Sequence, residues 1–175
     1  MDRAKSSAYF KITVLAFKLR DWLSPRINVL KEANIGPGFS VLDYGCGPGG
    51  YILDTARLVG ESGTVYALDI HPLAAQRVGK IASDNALANV KTIQSDCNTA
   101  LSDGGIDVVL LYDTFHLLSR PENVLREIHR VLKPDGTLSF SDHHMKERKI
   151  LAAVTATGLF KLSAKGKKTY TFAPT

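Results

Sequence analysis

Residues 41–50 read VLDYGCGPGG, an apolar run that carries one acid, Asp43, and then breaks into a loop with four glycines in six positions. Glycine collects where a backbone must adopt positive φ or lie against another group with no side chain between them. Gly45, Gly47 and Gly50 satisfy the G-x-G-x-x-G spacing, with Cys46, Pro48 and Gly49 filling it, and Asp69 follows 24 residues after the first glycine. By itself that pattern describes a dinucleotide loop, with pyrophosphate on a helix N-terminus and the later acid on a ribose diol. Asp43 argues against pyrophosphate. A carboxylate at that point repels phosphate and attracts an ammonium through a charge-assisted hydrogen bond. Only 34 residues follow the fifth predicted strand, too few for the second mononucleotide half that would hold a nicotinamide. The loop therefore fits a ligand with an α-amino acid at one end and a ribose in its middle.

Outward from the loop, apolar runs alternate with amphipathic stretches, the sequence signature of an α/β domain with a parallel sheet. Strands are predicted at 41–44, 64–68, 90–94, 106–112 and 137–141, nearly continuous in apolar character as strands covered on both faces are. Helices are predicted from about Gly50 to Leu58 with closure at Gly60, from Pro72, over about 120–132, and over about 145–157. Ser119-Arg-Pro-Glu122 has the S-x-x-E form of a capping box for the third of these. The tail, LFKLS-AKGKK-TYTFA, reads as two strands around a glycine turn. The expected fold is a Rossmann-like, doubly wound, seven-stranded sheet, mostly parallel with an antiparallel C-terminal hairpin strand, its ligand at the carboxyl ends of the strands. Residues 1–34 are expected to form an N-terminal helical cap packed on a domain of residues 35–175.

With these motifs in order, the chain resembles the class I S-adenosylmethionine-dependent methyltransferases, the group that includes quinone-biosynthesis and small-molecule enzymes. VLDYGCGPGG is similar to their first motif, VYALDI to the second, and VKTIQSDC to the third strand with its acid, Asp96. DVVLLYDTFHLL resembles the segment after strand four, and LREIHRVLKPDGTLSFSDHH the helix and turn leading into strand five. The resemblance implies S-adenosyl-L-methionine as cofactor and methyl transfer as activity. Asp43 would hold the ammonium region, and the amides of the loop containing Gly45, Cys46, Gly47 and Gly49 would face the methionyl carboxylate. Asp69 would accept from both ribose hydroxyls, Ile70 would cover the adenine, Asp96 would meet the adenine amino group, and Cys97 and Tyr112 would complete the pocket. Two positions depart from the pattern: Asp113 stands where an asparagine is usual beside the transferred methyl, and Asp135 replaces the first glycine of a K-P-G-G turn.

Methyl transfer from a sulfonium is an in-line displacement in which the protein mainly orients and desolvates. A base is needed only where the acceptor loses a proton. Asp113, His116, Asp142, His143 and His144 are the candidates at the ends of strands four and five. The alternative is local packing for His116 and plain loop exposure for His143 and His144. No metal is expected, since adjacent loop histidines rarely bind one ion. Nucleic-acid base methylation is disfavoured because YDTF lacks a Pro-Pro-aromatic segment, and the expected acceptor is a small molecule, apolar or anionic. A module that binds the cofactor without catalysis is the rival reading.

The 175 residues carry a net charge of +5, unevenly spread: +4 over 1–33, −5 over 34–145 and +6 over 146–175. Two cysteines 51 residues apart form neither a disulfide framework nor a zinc spacing, which favours a reducing, cytoplasmic setting. The most apolar N-terminal stretch is broken by Lys11, Lys18 and Arg20, so stable membrane insertion is not expected. With a short segment after strand five, a lid would come from residues 1–34 or from a second subunit of a homodimer.

Overall fold

The computed structural model describes residues 27–175, so most of the predicted N-terminal cap lies outside the described residues. In chain order the elements are α1 (Ile27–Leu30, running into a 3-10 turn at Lys31–Ala33), β1 (Ser40–Tyr44), α2 (Ile52–Val59), β2 (Thr64–Asp69), α3 (Pro72–Asp84), β3 (Val90–Gln94), β4 (Ile106–Tyr112), α4 (Pro121–Val131), β5 (Leu132–Ser141), α5 (Glu147–Thr155), β6 (Phe160–Lys165) and β7 (Tyr170–Pro174). The strands form one seven-stranded sheet in the order β3-β2-β1-β4-β5-β7-β6. The first five are parallel, and β7 is antiparallel to both β5 and β6. This is the expected doubly wound sheet with its antiparallel hairpin.

Strand alternation sorts the core into two layers. On one face Val41, Val65, Val108 and Leu110 pack against Leu30, Ile52, Ala56 and Val78 from α1, α2 and α3. On the other, Leu42, Val109, Leu138, Phe140 and Phe172 pack against Leu125, Ile128, Ile150 and Val154 from α4 and α5. α2 ends at Gly60, whose φ of 65° and whose N–H to Ala56 O explain the glycine stop.

α4 opens within the predicted Ser119–Glu122 segment: Arg120 is the N-cap and Pro121 occupies the first helical position, where proline's fixed φ suits the first turn. β5 begins at Leu132, earlier than predicted, because the K-P-D-G turn is carried within it as a register break opposite Ile106 and Val108.

Two polar anchors hold the loops around this sheet. Glu127 of α4 accepts from Thr99 N at 2.8 Å and Thr99 Oγ1 at 2.6 Å, and from Arg130, which also pairs with Asp103. The β3–β4 loop is thereby fixed to α4. The Arg130 guanidinium outweighs burial and, with Thr99, holds the Glu127 carboxyl down to about 2. At the other end of the sheet Glu32 accepts from the backbone N–H groups of Lys167, Lys168 and Thr169 and from Thr169 Oγ1 at 2.7 Å. Burial opposes its ionisation, but those hydrogen bonds prevail and hold it below the usual carboxylate range. The segment entering β1 is thus pinned to the β6–β7 turn.

Candidate active site

The glycine loop leaves β1 at Tyr44 and is stapled to the end of β2, with Gly45 N and Cys46 N both donating to Leu68 O, at 2.8 and 2.9 Å. Gly45 and Gly49 both have φ of 81°, and each is closed in. A Cβ on Gly45 would lie 2.6 Å from Thr114 Cγ2, and one on Gly49 would lie 2.9 Å from Ile81 Cδ1. Gly47, with φ of 51°, differs: nothing lies within 4 Å of its Cβ position, so the space over its backbone is open. Asp43 is 2% exposed, on the same face of β1 as Val41. Cys46 is buried, and burial together with Asp43 and Asp69 pushes its thiol up, which keeps it a neutral packing group.

Asp69 closes β2 with both oxygens oriented: Oδ2 accepts Gly47 N at 2.9 Å and Oδ1 accepts His71 N at 2.8 Å. Each carboxylate oxygen keeps a further lone pair for a ligand hydroxyl. Ile70 follows, half-buried. His71 caps α3 by accepting Leu73 N on Nδ1 at 3.1 Å, a role the sequence reading missed. Asp96 lies half-buried in the loop after β3. Cys97 is turned toward the opposite core layer, with its carbonyl accepting the Tyr44 hydroxyl at 3.2 Å. Tyr112, at the end of β4, is buried with its hydroxyl 2.7 Å from Ser139 Oγ and its ring edge-to-face with Tyr51.

Across the sheet, therefore, Asp96, Asp69 and Asp43 follow the spatial order β3, β2, β1 along one carboxyl edge. That row fits an elongated ligand with a base, a ribose diol and a cationic amino-acid end. Gly47, whose N–H Asp69 accepts, leaves the backbone of the loop open beside that row.

Beyond Asp43, the ends of β4 and β5 bring together every candidate for acid–base chemistry. His116 Nδ1 lies 2.9 Å from Asp142 Oδ2, and the same oxygen accepts His116 N at 3.0 Å. The Asp142 side chain is fully buried and that of His116 is 23% exposed. His143 Nδ1 lies 2.6 Å from Asp113 Oδ1, which also accepts His143 N at 3.1 Å. His144 donates its N–H to Asp142 Oδ1, and its ring lies between the other two, with centroids 4.2 Å from His116 and 3.9 Å from His143. Each carboxylate lies where it accepts from an Nδ1–H, the arrangement that belongs to the tautomer with its lone pair on Nε2.

Asp113 has φ of 51° and donates its N–H to Ser141 O at 2.7 Å. That left-handed backbone suits Asp or Asn and few other residues, which accounts for the departure at this position. Among the described residues no group of three or more His, Cys, Asp and Glu side chains is arranged to hold a metal. An open cavity of about 300 Å³ adjoins the histidines, lined by Asp142, His143, Met145, Ile150, Lys168 and Tyr170. The last four were not singled out from sequence, because the hairpin that delivers Lys168 and Tyr170 is remote from the motifs in the chain.

The fold is that of the class I S-adenosylmethionine-dependent methyltransferases. The profile of the methyltransferase domain family matches residues 35–171, and the chain belongs to that family. Among curated relatives, it is similar to a demethylmenaquinone methyltransferase of Geobacillus sp. (strain WCH70), 34% identical over 71% of this chain and 53% of that one. An arsenite methyltransferase of Aquipseudomonas alcaligenes is 34% identical over 63% of this chain and 34% of that one. The chain thus spans about half or less of the length of these relatives. A solved S-adenosylmethionine-dependent methyltransferase from Aquifex aeolicus superposes with a TM-score of 0.81 at 26% identity, covering 97% of this chain and 98% of that one.

Proposed function

We propose that this chain binds S-adenosyl-L-methionine along the row Asp96, Asp69, Asp43 and catalyses methyl transfer to a small-molecule acceptor seated beside the histidine cluster. The reading rests on one observation above all: the acids of β3, β2 and β1 and the two Asp–His pairs of β4 and β5 occupy consecutive stations on one sheet edge. When bound, S-adenosyl-L-methionine supplies a methyl group already activated on a sulfonium. The chain's task is to orient, exclude water and hold a proton. Asp69 fixes the ribose, Asp43 counters the cationic amino-acid end, and the Gly47 amide region admits the ligand backbone to backbone.

At the acceptor, His116 Nε2 would hold the proton that an O–H or N–H nucleophile gives up as the methyl carbon's bond to the sulfonium sulfur breaks and a neutral thioether leaves. Asp142 holds the ring in the productive tautomer and stabilises the imidazolium. His143 and Asp113 form a second, more exposed pair at the rim, the His143 side chain being 61% exposed. The cleft beside them has apolar walls at Met145 and Ile150 and a cation at Lys168. It suits an acceptor with an apolar body and an acidic or anionic end.

The test has two arms. Calorimetric titration with S-adenosylhomocysteine should show binding that Asp69→Ala removes and His116→Gln leaves within about twofold. Turnover of an acidic acceptor found by screening should fall by roughly 10²–10⁴ in His116→Gln. Absence of binding to the wild-type protein refutes the cofactor assignment. Unchanged turnover in His116→Gln refutes the base.

A further inference from the structure

The C-terminal excess of positive charge has a definite place in the fold. Lys146, Arg148 and Lys149 are exposed around the first turn of α5, directly after the β5 loop that carries His143 and His144. Lys165, Lys167 and Lys168 are exposed at the tip of the β6–β7 hairpin, whose return strand starts at Tyr170 opposite Phe140, near the carboxyl end of β5. The two groups are adjacent, since Lys165 Nζ reaches Glu147 at 2.6 Å. Glu147 is the single acidic residue in 146–175.

The opposite edge of the sheet has the reverse character. Glu61, Asp84, Asp103 and Asp135 are exposed there, and Lys80, Arg130 and Lys133 are held in ion pairs with Asp84, Asp103 and Asp107, while Lys91 and Lys161 are exposed at the starts of β3 and β6. The exposed cations at the start of α5 and at the β6–β7 tip therefore form one cluster at the end of the sheet that holds the cleft. Three cations at a helix N-terminus oppose the helix dipole, so their placement is not accounted for by the stability of α5. A field of this form orients a molecule toward an extended negative surface.

Leu117, 51% exposed in the short 3-10 turn that also carries His116, adds an apolar side chain to the same edge. Among the described residues no Phe or Tyr is exposed, so the stacking platforms by which single-stranded nucleic acid is bound are lacking. A cationic surface with a projecting leucine matches an interface of anionic headgroups over an apolar interior.

We propose that this edge docks reversibly on an anionic lipid surface, so that the cleft opens toward the membrane and the acidic edge faces away. The inference does not depend on the assigned chemistry, because its readout is partitioning and not turnover. The full chain is sedimented at physiological salt with vesicles of phosphatidylcholine alone and with vesicles containing one-third phosphatidylglycerol. Partitioning should be confined to the anionic vesicles and should fall at least about tenfold in Lys146→Ala/Arg148→Ala/Lys149→Ala, since each juxtamembrane cation contributes measurably. The variant Lys80→Ala/Lys91→Ala/Arg126→Ala removes the same charge from α3, β3 and α4 and should partition like wild type. Circular dichroism checks that both variants fold. The proposal is overturned by any of three results: equal partitioning to zwitterionic vesicles or none to anionic ones, an equal loss in both variants, or tighter retention on a single-stranded RNA oligomer than on the vesicles.

Discussion

Replacing Gly45 by alanine separates the two reasons a glycine is needed in this loop. At φ of 81° an L-residue costs about 1–2 kcal/mol over glycine. The new methyl would also lie 2.6 Å from Thr114 Cγ2 and 3.0 Å from Thr114 Cβ, so Thr114 must turn away. Turning it breaks the 3.0 Å hydrogen bond from Thr114 Oγ1 to Tyr112 O, about 1 kcal/mol more. The expected loss is about 2–3 kcal/mol, or roughly 4–12 °C in melting temperature for a domain of this size. Thr114→Ala removes the oxygen and methyl that clash, so in a double-mutant cycle the pair should couple by about 1 kcal/mol. Gly47→Ala is the contrast. Its φ of 51° carries the conformational cost, but nothing lies within 4 Å to clash with. It should lose about 1–2 kcal/mol of stability and, by filling the ligand's approach, weaken S-adenosylhomocysteine binding by roughly 5–150-fold. Urea denaturation and calorimetry measure both quantities. A Gly45→Ala protein as stable as wild type, or strict additivity with Thr114→Ala, would refute the steric argument.

Three other expectations follow from the two polar anchors and from the buried Tyr112–Ser139 pair. Glu127 has its folded pKa lowered from 4.5 to about 2, so its contribution is fully present above 4.5 and is lost as pH falls from there toward 2; the stability gap between wild type and Glu127→Gln should therefore be widest near neutral pH and narrow below pH 4.5 in urea titrations. Glu32 is lowered too, so Glu32→Ala should cost about 1–3 kcal/mol above the usual carboxylate range, less in acid, with hydrogen exchange accelerated at the amides of Lys167, Lys168 and Thr169. Tyr112→Phe strands the buried Ser139 hydroxyl and should cost about 1–3 kcal/mol, most of which Ser139→Ala restores in the double variant.

The sheet was legible because its strands are covered on both faces and so appear as unbroken apolar runs, from VLDY to IDVVLLY. The loop acids were legible because each lies within two residues of the carboxyl end of a strand, and strand ends are where such folds bind ligands. The Asp–His pairs were not. Asp142 and His116 are 26 residues apart and meet only because β4 and β5 are neighbours, while Asp113 and His143 meet across the same pair of strands. Sequence could supply the five residues but not the partners, since pairing is decided by strand order. The α4 start was legible to within a residue, because Ser119-Arg-Pro-Glu122 is a start signal and Pro121 suits the first helical position. Glu32 left no local signal at all, for its partners are backbone amides 135–137 residues away.

The place of β7 inside the sheet bears on how the chain is made. β6 leaves the ribosome first but has only β7 as a neighbour, and β7 in turn bridges it to β5. Until residues 170–174 exist, β5 presents an open edge, Phe140 lacks Phe172, and α5 packs over a sheet that stops one strand short of its own partner β6. The nascent protein therefore carries an aggregation-prone margin from the completion of β5 at Ser141 until β7 is made. A chaperone that shields strand edges would act on the margin of β5, beside which, in the finished fold, the cavity lined by Ser141 and Tyr170 opens.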